Sequence, residues 1–292
     1  MQEFAIFLMR GFWVAGLVSG LFGAAALRFP PLAILSGAVL ALAALSRGWS
    51  YGLLVGIVAA LVVMAGWIIV GSRPGLDFPL VFLLWPPLLL VTETLRWTGS
   101  QGLALLVVAM VVAACHFGMH FAVGDVVAFW QEWLSRAVAA VPGATVRGFE
   151  EDNTLRLMNG FLGMGYAASL VLSLLFGRWL QSLAYNPGGF GPEFRRLRLP
   201  RLTLLAAALV VSGAGYWSEV LVADLFMLAM LMYFFAGLAV IHGVIEVRSL
   251  PWSWAVPVYL ALVYVPPMAL PALAAVGVLD TFVDFRARKR RP

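Results

Sequence analysis

From Gly11 onward the chain is a succession of apolar runs, each close to the length a lipid bilayer demands, with short polar breaks between them. A helix needs roughly 20 consecutive apolar residues to cross a membrane. Runs of about that length fall at 11–27, 30–46, 50–71, 78–95, 102–122, 158–177, 202–217 and 220–245. A last run, 252–285, would be roughly 50 Å long as one straight helix, too long for a hydrocarbon core about 30 Å thick. Pro266, Pro267 and Pro271 interrupt it, so it reads as two short spans or a broken re-entrant pair meeting at the Pro-Pro step. The segments at Pro30-Pro31 and Pro86-Pro87 read as spans or as re-entrant or interfacial pieces. With 63% hydrophobic and 11% charged residues, against roughly 45–50% and 25% in soluble domains, the chain is neither a DNA-binding module nor an enzyme with its own soluble catalytic domain. The expected fold is all-α: a polytopic transmembrane bundle of about 8–10 spans, one integral membrane domain over residues 1–292. The first run reads as a membrane helix rather than a cleaved leader, because Glu3 lies in the would-be positive region and Arg10 is the only early cation.

Charge then gives orientation. Ten spans put both termini on one side, leaving only Arg28, Arg73, Arg136, Arg147 and Arg156 of the 19 cations on the other. The cation-rich side is the cytoplasm. One span fewer at the end would carry Arg286, Arg288, Lys289, Arg290 and Arg291 across and erase the bias, so an even number is favoured. Cys115 is the only cysteine, which excludes an internal disulfide, and its apolar neighbours predict a buried small hydrophobe.

Two loops are long. In the outer one, 124–158, Val126, Val127, Phe129, Trp130, Trp133, Leu134, Ala137, Val138 and Val141 recur at helical spacing, predicting an amphipathic helix at the outer interface. Pro142-Gly143 ends it and Glu150-Glu151-Asp152 forms an acidic turn. The helix either caps the bundle or acts as a lid over an outward-facing cavity. The inner loop, 178–201, contains the turn Asn186-Pro187-Gly188-Gly189 and then Arg195, Arg196, Arg198 and Arg201. These arginines suit lipid headgroups or a docking protein, with nucleic acid the least favoured partner. The tail, 286–292, is basic as well.

Ionisable groups within spans are costly and so informative. His116 and His120 share one face near the outer end of the fifth run. With Asp125, Glu219 and Asp224 they are the candidates for a polar ligand pocket open to the outside. Two histidines are half of a metal site, so neither a metal nor a cofactor is assigned. His242 and Glu246 repeat the four-residue spacing at the opposite end of the 220–245 run, which separates them from His116 and His120. Glu93 and Arg96 form an expected helix-end ion pair. Gly16, Gly20 and Ala24, with Ser19 and Gly23 beside them, give the first span a small-residue face for helix packing within or between chains. No phosphate loop, HExxH or GxSxG motif occurs.

The stretches YNPGGFGPEFRRLRLPR (Tyr185 to Arg201) and GVLDTFVDFRARKR (Gly277 to Arg290) resemble the YybS-like family of bacterial predicted multi-pass membrane proteins, a domain of unknown function. That family's distant resemblance to the S components of energy-coupling-factor transporters implies a small-ligand-binding or transport subunit that relies on a separate transmembrane and ATPase module. It also implies a docking role for Gly16, Gly20 and Ala24. Eight or more helices, against the usual six, depart from that pattern, and no vitamin-binding residue carries over. A non-transporting membrane scaffold or assembly factor is the alternative. An intramembrane enzyme acting on lipid, with His120 as base aided by Asp224 or Glu219, is the third reading.

Overall fold

The computed structural model describes residues 1–70, 78–139, 154–212 and 215–287, and among them there is no strand. In chain order the helices are α1 (Gln2–Leu8), α2 (Phe12–Ala26), α3 (Leu32–Arg47), α4 (Trp49–Val70), α5 (Val81–Thr98), α6 (Gln101–Val123) and α7 (Val126–Ala139). They continue with α8 (Thr154–Tyr185), α9 (Phe190–Arg195), α10 (Arg201–Ser212), α11 (Glu219–Val247), a 3-10 turn (Trp252–Ala255), α12 (Val256–Tyr264) and α13 (Pro266–Asp280). The all-α bundle expected from the hydropathy is what forms. Among the described residues, four helices are long and apolar enough to cross a membrane: Trp49–Ile69 in α4, then α6, α8 and α11. The pair α1 and α2, bent by 111°, makes a fifth if taken as one span. At most of the other expected span positions the helices are shorter, as between Pro30-Pro31 and Gly48, while α5 keeps 18 residues but carries Glu93 and Arg96 near its end. The expected break at Pro266-Pro267 is present: Val265 leaves helical geometry between α12 and α13.

The helices pack through small residues. A Cβ on Gly16 would lie 2.5 Å from the Val58 Cβ, and one on Gly20 2.6 Å from the Val62 Cβ. Ala24 reaches Gly66 one further turn along, so α2 lies flush on α4. This corrects the docking role for Gly16, Gly20 and Ala24: the face is consumed inside the chain. Between α2 and α3, Ser19 Oγ donates to the Ser36 carbonyl (2.9 Å) and Ser36 Oγ to the Ser19 carbonyl (2.8 Å). Trp85 Nε1 of α5 reaches Ser36 Oγ at 3.3 Å. Such reciprocal bonds satisfy polar groups that lipid would leave stranded.

α5 runs unbroken through Pro86 and Pro87, so of the two readings of this segment it is the continuous helix that forms. Pro87 has no N–H to give the Leu83 carbonyl one turn back. The Tyr166 hydroxyl of α8 donates to that carbonyl instead, at 2.8 Å. A neighbouring helix therefore repairs the defect. Between α5 and α6, Gly99 takes the left-handed conformation (φ 64°) and Ser100 Oγ accepts from the Leu103 amide, so two residues suffice to reverse the chain.

One contiguous core joins α1–α6, α8, α11, α13 and the loop residues Leu197 and Leu199. α7 forms over Val126–Ala139, where an amphipathic helix was expected, and packs on α6 and α8. Pro142-Gly143, the acidic turn 150–152 and tail residues 288–292 lie outside the described residues. Cys115 is exposed, not buried as expected, because the helical turn that points His116 inward points its neighbour outward.

Candidate functional site

α6 ends, and α8 and α11 begin, at the same end of the bundle, and each contributes a polar side chain to one buried point. From α6 come His116 and His120, four residues apart and so on one face; from α11 comes Asp224, one turn and a half past the helix start. The side chain of Asp224 is 0% exposed, His116 4% and His120 12%. Asn159 of α8, itself buried, sits between them.

The hydrogen bonds follow from what each group can donate. A carboxylate only accepts, so Asn159 presents its amide: Nδ2 donates to Asp224 Oδ2 at 2.5 Å. The second amide hydrogen faces His116 Nδ1 at 2.9 Å. His116 Nδ1 thus accepts, and its ring proton sits on Nε2. That nitrogen is buried against Gly163 without a partner among the described residues. His120 Nε2 donates to Asp224 Oδ2 at 3.1 Å, and its Nδ1 is 3.4 Å from Ser218 Oγ. Ser218 is exposed and caps α11, accepting from the Leu221 amide at 3.2 Å.

Two glycines of α8 make this packing possible. A Cβ on Gly160 would stand 2.7 Å from Met227 Sδ and 3.1 Å from Asp224 Oδ1, and one on Gly163 would enter the His116 ring. The run Asn159-Gly160-Phe161-Leu162-Gly163 is therefore one device: an amide followed by the clearance that lets its partners close in.

An isolated carboxylate in an apolar interior is unstable by several kcal/mol. Among the described residues, the groups at contact distance that can take a proton are the two imidazoles. His116 is engaged as an acceptor, so His120 is the imidazole that donates to the carboxylate. The cluster therefore has the composition of a proton-holding site with a hydroxyl at its solvent edge.

Of the five residues expected to line a pocket, three meet: His116 and His120 each contact Asp224 directly. Glu219 is 92% exposed and lies 3.7 Å from Arg156. Asp125 caps α7, accepting from the Ala128 amide at 3.0 Å. No group of three or more His, Cys, Asp or Glu among the described residues is arranged to hold a metal ion. The sequence reading missed Asn159 and Ser218. An asparagine inside an apolar helix beside two glycines was the available signal for the first; for the second there was only its capping position.

His242 stands 18 residues beyond Asp224 on the same helix, about 27 Å at 1.5 Å per residue. Its Nδ1 donates to the Leu238 carbonyl (2.8 Å) and its Nε2 accepts from the Tyr259 hydroxyl (3.0 Å). Around it the inner loop is knit by ion pairs: Arg178 with Glu193, Arg195 with Glu246, and Arg198 with Asp280 and Asp284. Arg286 Nη1 donates to the Arg195 and Leu197 carbonyls (2.8 and 2.9 Å), and Nη2 donates to Asp280 (2.5 Å). Arg196 and Arg201 are exposed, with no acidic partner among the described residues. Glu93 and Arg96 pair at 3.2 Å, as expected. No family model, curated protein or solved structure matches this chain.

Proposed function

We propose that the chain is a multi-pass protein of a bacterial inner membrane, with both termini cytoplasmic, that serves as a small-ligand-binding or transport subunit using a proton held at its outer end. One observation carries this reading: a fully buried carboxylate between three apolar helices, hydrogen-bonded to one imidazole and an amide, with a second imidazole 3.5 Å away. Polar groups at that depth are kept where a proton or ion must pause. Ser218 links the cluster to the outer aqueous face through His120 Nδ1, so protons enter there without a wide opening. The cation count assigns this end to the outside. An energising partner, implied by the YybS-like resemblance, would dock elsewhere than on Gly16, Gly20 and Ala24.

The test is proton movement into proteoliposomes under an imposed membrane potential, reported by an internal pH dye. The wild-type protein should acidify the lumen at least about tenfold faster than Asp224→Asn. Equal rates for the two, or a wild-type rate equal to that of empty vesicles, would remove the reading.

A second reading has its own support, since Ser218, His120 and Asp224 stand in the order of a nucleophile, base and carboxylate, with His120 and Asp224 within proton-transfer distance. An intramembrane hydrolase would then be labelled at Ser218 by a fluorophosphonate, dependent on His120. No labelling leaves the transport reading alone.

A further inference from the structure

Between α10, α11 and α13 lie two adjoining recesses of unlike chemistry, the smaller toward the end opposite the histidines and the larger running from it back toward the level of Asp224. The larger, about 560 Å3, is apolar, walled by side chains such as Leu204, Phe226, Met230 and Pro271, and several of its residues are exposed at the bundle surface. The smaller, about 120 Å3, is lined by Arg198, Arg201, Asp280, Thr281 and Arg286. They follow one another along all three helices. Arg201 is one turn before Leu204 on α10, Ala236 one turn after Tyr233 on α11, and on α13 Gly277 and Thr281 flank Val278.

We propose that this pair of recesses binds one anionic phospholipid of the surrounding leaflet, its phosphate held by Arg201 with Arg198 and Arg286 and an acyl chain laid in the apolar groove. The inference rests on the membrane reading of the fold but not on the histidine cluster.

Charge supports it first. Arg198 and Arg286 divide Asp280 and Asp284 between them, which leaves Arg201 as the uncompensated cation beside the recess. A phosphodiester supplies the one negative charge that is missing, and guanidinium groups bind phosphate oxygens in pairs. The second support is Tyr233. It is only 3% exposed, lines the groove where it meets the basic recess, and its hydroxyl has no partner among the described residues. A buried hydroxyl without a partner costs about 1–3 kcal/mol, and a lipid's ester carbonyl at that junction would accept from it. Continuity is the third: the apolar groove leads away from the basic recess at Ala236 for about 16 Å along α11, as far as Leu225. Basic pockets between helices on the cytoplasmic side are where anionic headgroups bind, and the cation count assigns this end to the cytoplasm.

The experiment is native mass spectrometry and thermal unfolding of the full chain in detergent, titrated with phosphatidylglycerol, phosphatidylcholine of the same chains, or glycerol phosphate. Phosphatidylglycerol should be retained one per chain and raise the melting temperature, while phosphatidylcholine and the chainless phosphate should not. Arg201→Gln, at an exposed position, should weaken retention about tenfold, the loss of one charge-assisted hydrogen bond. Tyr233→Phe should weaken it less, and Ala275→Trp, filling the groove, should abolish it. Equal stabilisation by both lipids, or Arg201→Gln binding phosphatidylglycerol as well as wild type does, would overturn the proposal. So would glycerol phosphate acting as well as the intact lipid.

Discussion

The two ends of α11 bury charge in opposite ways. Near Glu219 the helix carries one carboxylate sealed from solvent, shared between imidazoles and an amide, with no arginine or lysine against it among the described residues. Near Val247 the acidic groups are met by guanidinium ions, most of them partly open to solvent, and by backbone carbonyls. Guanidinium stays charged at any physiological pH, so the second arrangement is a permanent clasp. Imidazole can be a neutral or a charged partner, so the first arrangement has no fixed cation. Buried carboxylates on one helix system are thus held by imidazole and amide at one end and by guanidinium at the other.

The difference should show in stability. Asp224→Ala strands two imidazoles and an amide in an apolar site and should cost about 3–5 kcal/mol in thermal unfolding. Arg198→Ala, from a half-exposed pair, should cost under about 1 kcal/mol. Similar losses for both would erase the contrast. Next in size is Gly163→Ala, whose Cβ meets the His116 ring and should cost about 1–3 kcal/mol by overpacking. Gly165→Ala, with nothing within 4 Å, should be neutral or slightly stabilising. Smaller again, Tyr166→Phe should cost about 1 kcal/mol by leaving the Leu83 carbonyl bare.

The smallest effect is one of pH. The Arg198 guanidinium hydrogen-bonded to Asp284 holds that carboxyl below its ordinary value. A depressed carboxylate stabilises the fold above its unfolded pKa, and this contribution is lost as pH falls through the folded value. The melting-temperature gap between wild type and Asp284→Asn should therefore be present at neutral pH and close below about pH 4.

Hydropathy alone identified the helical bundle, since span-length apolar runs have few other soluble or folded forms. Spacing on one helix paired His116 with His120, and sidedness brought Asp224 to them. Helix termini were harder to read. Pro86-Pro87 read either as part of a span or as a break, because the repair comes from Tyr166, eighty residues away in sequence, and no local pattern reveals it. Glu219 and Asp125 were grouped with the histidines by depth alone, yet rotation about the helix axis and a capping role take them elsewhere. Arg195 and Arg198 read as free charge, because their carboxylate partners Glu246, Asp280 and Asp284 are distant in sequence. Gly16 and Gly20 carried a real packing signal, but composition does not say whether the opposing helix belongs to the same chain.

The most direct measurement is nitrogen-15 magnetic resonance of the three histidines in a bilayer, with Asp224→Asn as the comparison. His242, bonded to the Leu238 carbonyl and the Tyr259 hydroxyl, serves as the internal comparison. At neutral pH the wild-type protein should show His116 neutral with its proton on Nε2 and His120 as imidazolium. Asp224→Asn should return His120 to the neutral form. Two neutral imidazoles in the wild type, unchanged by the substitution, would contradict a proton held between His120 and Asp224.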